Sequence, residues 1–382
     1  MKYIVFIGDG MADEPIKKLG NKTPLEKART PHLDFLVKNG RAGMVSNVPC
    51  GLKPGSDVAI MSIMGYDPRK YYAGRGPIEA EAMGLKLDKD EVVFRCNLVR
   101  VENGYMKDFT AGHIKTEEAR KIIYFLNQNL EDKTIKFYPG VSYRHLMAYK
   151  KGPWKIETTA PHDITGKNIE PYLPQGKGSE KIRALMQESV LLLSKAHYFP
   201  NMIWLWGQGK KRTLPSFKKR FGLKGAMITA VDLLKGMAQT LGMDVINIEG
   251  ATGFLDTNYK GKAEAALNAL QKYDIVFVHV EAPDEAGHMG KAKLKIRAIE
   301  DFDKKVVGHV LKSLPKGVRV LVLPDHPTPI AKMTHTADAV PFVMWGEGIS
   351  PGKAQFFSEK SISRWTSKIT FGHDLINKFI KD

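Results

Sequence analysis

The chain has 382 residues, with 58 Lys and Arg against 41 Asp and Glu for a formal net charge of +17, and 43% of its residues are hydrophobic. Its length exceeds one ordinary compact domain, so two domains, or one large core with an insertion, are expected; two cysteines, Cys50 and Cys96, are too few for a disulfide framework or a multi-cysteine zinc site. No uninterrupted apolar run reaches the roughly 18 residues of a membrane span, and the first residues lack a signal-type apolar region, so a cytoplasmic protein is expected.

The first element, "KYIVFIGDG" (2–10), has the composition of a buried strand and ends in Gly and Asp. In "CGLKPGSDVAIMSIMGYDP" (50–68), Ser56 follows Pro54 and Gly55 and precedes a helical run. The texture then changes. "EVVFRCNLVRVENGYMKDF", "TIKFYPGVSYRHLMAYK" and "NMIWLWGQG" have the pattern of hairpin-type strands, separated by the helices "KTEEARKIIYFLNQNL" and "GSEKIRALMQESVLLLSKAHYF". This middle predicts an inserted α+β domain over 80–216, which leaves a discontinuous core of 1–79 and 217–382. In the second core segment "AMITAVDLLKGMAQTLG" reads as a helix, "MDVINI" as a strand, "KAEAALNALQKY" as a helix and "DIVFVHV" as a strand. A helix through "KIRAIEDFDKKVVGHVLKSL" and the strands "VRVLVLPDH" and "AVPFVMWG" follow. Such alternation predicts an α/β core with a mostly parallel sheet flanked by helices.

In open α/β sheets, ligands gather beyond the carboxyl ends of the strands. Three core strands end in candidate metal ligands: Asp9 in "GDG", Asp284 and His288 in "APDEAGH", and Asp325 and His326 in "PDHP", with His335 nearby in "THTAD". Taken singly, these also read as an Asx turn, a helix N-cap with a solvated His, and a Pro-fixed turn. Together they are hard to assign to stability, because clustered carboxylates repel unless a cation sits among them. Six such ligands suit two ions about 3.5–4 Å apart, the arrangement that clamps attacking and leaving oxygens in phosphoryl transfer, and mixed Asp/His donors favour manganese or zinc over magnesium. Ser56 is then a candidate nucleophile at a helix N-terminus, where free N–H groups favour a phosphoryl oxygen, with an N-cap serine as the alternative. His32, His197, His279 and His309 read as structural.

The motifs "KYIVFIGDGMAD", "KPGSDVAIMSIMGYDP" with "GRGPIEA", "VHVEAPDEAGH", "LPDHPTP" and "THTADAVPF" together resemble the alkaline phosphatase superfamily, most closely the archaeal-type cofactor-independent phosphoglycerate mutases. The resemblance runs over almost the whole chain and implies an alkaline-phosphatase-like core. It implies one ion held by Asp284, His288 and His335 and a second held by Asp9, Asp325, His326 and Ser56. Manganese is the first choice of ion, with zinc, cobalt and magnesium as alternatives. By the same likeness, 3-phosphoglycerate gives its phosphoryl group to Ser56 and glycerate takes it back on its other hydroxyl, with no 2,3-bisphosphoglycerate.

Such a reaction needs water excluded and glycerate held, so the insertion is expected to act as a substrate-binding lid. Its candidate substrate residues are His113, Arg144, His162, Asp163, Lys210 and Arg212, since Arg clamps carboxylates or phosphates and Lys serves as a point charge. His162 or Asp163 is a candidate proton relay. Lys224 joins the set through a lysine that the family places at the domain junction. After His288 the family pattern is acidic, whereas Met289 and "KAKLKIR" stand here. Runner-up readings are a homoserine kinase-like phosphotransferase and a phosphomonoesterase; the non-enzyme alternative is a basic nucleic-acid-binding protein. A small phosphorylated substrate is the expected partner, with neither nucleic acid nor membrane. The "WGQGKKRT" segment lacks the spacing of a phosphate loop, and "GDGMAD" lacks that of a dinucleotide fingerprint.

Overall fold

Lys2–Gly8 forms a strand whose residues after Lys2 are all buried, as expected for the middle of a parallel sheet covered on both faces. The computed structural model describes residues 1–381. In it this strand pairs in parallel with Ile275–Val280 on one side and Val318–Leu323 on the other. The complete sheet has eight strands in the order Thr370–Phe371, Arg41–Ser46, Val340–Trp345, Val318–Leu323, Lys2–Gly8, Ile275–Val280, Gly225–Ile228, Asp244–Ile246. Only Val340–Trp345 runs against its neighbours, so the α/β class with a mostly parallel sheet holds. On one face Ile4, Phe6, Val276, Val278, Val320 and Val322 join a single apolar cluster with side chains from the helices Pro31–Asn39, Tyr259–Lys272 and Ala292–Asp301.

One core element differs from expectation. "AMITAVDLLKGMAQTLG" is not one helix: Gly225–Ile228 is a strand, and the helix begins only at Asp232. The run "GAMI" is apolar on every residue, and periodicity alone does not separate a short buried strand from the first turn of a helix.

The chain divides into two units, one comprising Met1–Tyr72 and the segment from Leu214 onward, the other Ala73–Thr213. The first break falls before the expected residue 80 because the helix Arg75–Ala82 packs on the strands Glu91–Glu102 and Met202–Lys210 of the second unit. Gly76 permits that packing, since a Cβ there would lie 2.2 Å from the Val93 carbonyl oxygen. The second unit is built on a five-stranded antiparallel sheet. Its long strand Glu91–Glu102 pairs with Tyr105–Asp108, Arg144–Lys150 and Met202–Lys210, and Ile135–Val141 pairs with Arg144–Lys150. The helices Thr116–Leu130 and Glu180–Lys195 bury their apolar stripes against Phe94, Cys96 and Trp204. Among the described residues, no helix is long and apolar enough to cross a membrane.

Candidate functional site

The parallel strands of the large sheet deliver their carboxyl ends to one edge. Asp9 follows the first strand directly. Asp284 and His288 lie on the helix Ala282–His288 that follows Ile275–Val280, and their four-residue spacing puts both on one face. Asp325 and His326 follow Val318–Leu323. Two groups of ligand atoms result: Asp284, His288 and His335, and Asp9, Asp325 and His326, each with its atoms within 4.8 Å of one another. In the first group His288 Nε2 lies 3.1 Å from Asp284 Oδ2 and 3.0 Å from His335 Nε2. In the second, His326 Nε2 lies 3.2 Å from Asp325 Oδ2 and 3.6 Å from Asp9 Oδ1. The groups adjoin, with the His326 and His335 rings 4.2 Å apart.

Ser56 is the first residue of the helix Ser56–Ile63, and Gly55 occupies the cap position. Its Oγ lies 3.2 Å from His326 Nε2 and 3.5 Å from Asp9 Oδ2. Gly10, after Asp9, has φ +60°, and a Cβ there would come within 2.6 Å of Asp284 Oδ1. Only glycine therefore lets the two acidic loops approach this closely.

The donor set fits divalent cations. Asp9 Oδ1 and Asp325 Oδ2 are buried and have no hydrogen-bond partner among the described residues; the other oxygens accept from His279 and from the Gly10 and His326 N–H groups. Burial, then the charges of Asp325 and Asp284, push the Asp9 carboxyl well above its ordinary range, which is the cost of crowding carboxylates without a counter-charge. Burial would lower His288, but its bond to Asp284 and that carboxylate's charge outweigh burial and raise it to about 9. Two imidazole Nε2 atoms 3.0 Å apart require a proton or a metal ion between them.

Surrounding residues fix the candidate ligands. His288 Nδ1 lies 3.0 Å from the carbonyl oxygen of Met333, whose φ of +53° is rare for a side-chain-bearing residue and turns that oxygen to the ring. His279, read from sequence as a structural core residue, lies with Nε2 3.0 Å from Asp9 Oδ2 and Nδ1 3.2 Å from the Thr229 hydroxyl. Nothing in the sequence distinguishes it from any polar residue in an apolar strand. The basic segment after His288 is also not what its charge suggests. Lys295 is fully buried and donates to Asp13 Oδ2 at 2.8 Å and to the Ala12 and Thr328 carbonyls, bracing the loops that carry Asp9 and His326.

Of the expected substrate residues, Lys224 is misplaced. It precedes the strand Gly225–Ile228, which pairs in parallel from Ile275 onward, and its backbone N–H donates to Asp274. It therefore lies at the amino edge of the sheet, opposite the edge that holds the candidate ligands, with its ammonium over the Tyr273 ring.

The other six lie in the second unit. His113 is exposed and held at φ +54°, two residues after Ala111 at +52°. Arg144 is exposed at the start of its strand. The His162 ring contacts Phe109 and Trp206, and Asp163 Oδ1 lies 3.9 Å from His162 Nε2. Lys210 sits over Trp154, and Arg212 is exposed beyond the strand end. Around Trp206 stands a pair that sequence reasoning missed. Arg75 and Arg95 both stack on its indole and both bond Glu79 Oε1, at 3.0 and 2.6 Å. Arg95 is buried, its Nε has no partner among the described residues, and burial, helped by Arg75 and Arg144 and opposed by Glu79, pulls it down to about 10. The glycine-rich "GRGPIEA" motif signals Arg75; Arg95, inside a strand, gives no signal.

The sequence pattern of the 2,3-bisphosphoglycerate-independent phosphoglycerate mutases matches residues 37–198. The chain is 47% identical to the enzyme so named from Methanosarcina acetivorans, covering 100% of both chains. It is 35% identical to the one from Pyrococcus furiosus, covering 98% of this chain and 95% of that relative. Among solved structures it is similar to a Pyrococcus horikoshii protein, with a TM-score of 0.82 and 30% identity over 99% of this chain and 96% of that one. It is also similar to the cofactor-independent phosphoglycerate mutase of Thermoplasma acidophilum, with a TM-score of 0.63 and 25% identity over 100% and 99%.

Proposed function

Because the chain belongs to the 2,3-bisphosphoglycerate-independent phosphoglycerate mutases, isomerases that interconvert 3-phosphoglycerate and 2-phosphoglycerate, we propose that it works through a phosphoserine at Ser56 beside two divalent ions. The observation that carries this reading is the pair of orphaned oxygens, Asp9 Oδ1 and Asp325 Oδ2, buried beside a serine hydroxyl that caps nothing. Asp284, His288 and His335 would hold one ion; Asp9, Asp325, His326 and Ser56 would hold the other. The mixed nitrogen and carboxylate donors suit manganese, with zinc, cobalt and magnesium as alternatives. Bound there, the ions would lower the serine hydroxyl's pKa and neutralise charge on the phosphoryl oxygens.

The reaction balances without another reagent. Ser56 Oγ forms a bond to phosphorus as the bond from phosphorus to the C3 oxygen breaks, the serine proton passing to that oxygen; the C2 hydroxyl of glycerate then attacks phosphorus as the Ser56 Oγ–P bond breaks, and its proton returns to Ser56. The Ser56 position at a helix start adds free N–H groups that favour the phosphoryl oxygens.

For the substrate's carboxylate and phosphate we assign the cations of the inserted unit: His113, Arg144, Lys210 and Arg212, to which the Arg75 and Arg95 pair is added. His162 or Asp163 is assigned to proton relay. The backbone strain at Ala111 and His113 supports a functional role for that loop, since left-handed non-glycine residues cost on the order of 1–3 kcal/mol and gather at functional sites.

The test is incubation of the manganese-loaded protein with 3-phosphoglycerate and no bisphosphoglycerate, following 2-phosphoglycerate and free phosphate, with mass spectrometry of the peptide carrying Ser56. Mutase turnover with transient phosphorylation of Ser56 is expected. Turnover that survives in Ser56→Ala would refute the phosphoserine route, and release of phosphate as the main product would mark a phosphomonoesterase.

A further inference from the structure

Thr328 follows the ligand pair Asp325 and His326 by two residues and is fully buried. Its Oγ1 donates to Asp284 Oδ1, in one ligand group, and lies 3.3 Å from His326 Nδ1, in the other. A hydroxyl has one proton and two lone pairs. With the proton directed to the carboxylate, the lone pairs face His326, so Nδ1 must carry the ring's hydrogen and donate it. The Nε2 lone pair of His326 is then free, and it faces Asp325 Oδ2, Ser56 Oγ and Asp9 Oδ1. One side chain thus sets the tautomer of a ligand in the second group and the carboxylate orientation of a ligand in the first.

The surroundings hold Thr328 rigidly in this role. Its N–H donates to the Ala12 carbonyl, and its own carbonyl accepts from buried Lys295. Gly10 and Gly287 face it where a Cβ would lie 2.6 Å from its Oγ1 and 2.7 Å from its carbonyl oxygen. Gly10 leaves room for the hydroxyl itself, while Gly287 and buried Lys295 pack on and bond the carbonyl of the same residue, fixing the backbone from which that hydroxyl projects.

We propose that Thr328 is a positioning residue that couples the two metal groups, so that loading of one ion orients a ligand of the other. This rests on the two-ion reading above. Thr328→Val keeps the shape and removes the hydroxyl, whereas Thr328→Ser keeps the hydroxyl and removes the methyl. Metal-binding partners of this kind change affinity by about 10- to 100-fold when lost. Competition of manganese against a chromophoric chelator should show that loss for both ions in Thr328→Val, with the two binding steps becoming independent, and near-normal binding in Thr328→Ser. Cobalt-loaded protein should show an altered visible spectrum in the Val variant alone.

Equal binding and spectra in Thr328→Val and the parent protein would overturn the proposal, and so would an equal loss in Val and Ser, which would assign the effect to the methyl group. If Thr328→Val fails to fold, nitrogen NMR of histidine-labelled parent protein decides: His326 must carry its hydrogen on Nδ1, and a hydrogen on Nε2 sinks the idea. A parent protein that binds fewer than two ions would instead refute the two-ion reading itself.

Discussion

His279 Nε2 lies 3.0 Å from Asp9 Oδ2, and both side chains are buried. Burial above all pulls the imidazole down to about 3, so it is neutral at physiological pH. With the Thr229 hydroxyl facing Nδ1, the ring hydrogen belongs on Nε2 and points at Asp9. The bond occupies Oδ2 and leaves Oδ1 for an ion.

His279→Phe should therefore weaken manganese binding by about 10- to 100-fold, the usual cost of losing a residue that orients a ligand. His279→Gln, which retains an N–H donor of similar reach, should recover part of it. Titration with a competing chelator checks both; unchanged affinity in the Phe variant would return His279 to the role of a plain core residue.

The contrast between the candidate ligands and their supports explains what the sequence discloses. Asp9, Asp284 and Asp325 each follow an apolar strand within a few residues, so period and position alone bring them to one sheet edge. His279 reveals nothing comparable: its partner is 270 residues away, just past the end of a neighbouring strand, and strand pairing is not written locally. Lys224 entered through the family likeness alone, and reading "AMI" as the start of a helix left nothing to check it against, since only the strand Gly225–Ile228 shows that this lysine stands at the amino edge. Lys295 shows that net charge misleads as well, since that cation is consumed by Asp13 and two carbonyls.

Gly10→Ala should damage both ligand groups at once. The added methyl would meet Asp284 and Thr328 at 2.6 Å in a backbone conformation of φ +60°. Displacement of reacting groups by an ångström costs about a hundredfold in rate, so kcat should fall by that order, with the number of bound ions reduced on elemental analysis. Full metal occupancy and normal kcat would show that the loops yield easily.

Chelation provides a direct check on the orphaned oxygens. Activity should vanish with a strong chelator and return with manganese more than with magnesium, because imidazole donors favour the softer ion. Equal recovery with magnesium would contradict the role assigned to His288 and His335.

Arg75 and Arg95 share one carboxylate, leaving an excess of positive charge beside Trp206. Arg75→Met should raise KM for 3-phosphoglycerate about 10- to 150-fold, the loss of a charge-assisted hydrogen bond worth roughly 1.5–3 kcal/mol. Phosphorylation of Ser56 by a phosphate ester without a carboxylate should not change. Parallel loss with both donors would mean that Arg75 acts on the phosphate or on folding rather than on the carboxylate.

In the same unit, His145 is expected to set an acid limit. It is buried, and its Nδ1 accepts from the Gly140 N–H at 2.9 Å. Burial first, then Arg95 and Arg144, lower it from 6.5 to about 3. Unfolded chains take up a proton below pH 6.5 that the folded protein refuses until about pH 3, so stability is intact above 6.5 and falls as pH drops through that window. Each pH unit in the window costs about 1.4 kcal/mol, or about 2 kcal/mol at pH 5. His145→Asn removes the titrating ring while keeping an acceptor for Gly140, so its urea stability should lose less than that of the parent protein between pH 7.5 and pH 5. An equal loss in both proteins would show that the acid limit is set elsewhere in the chain.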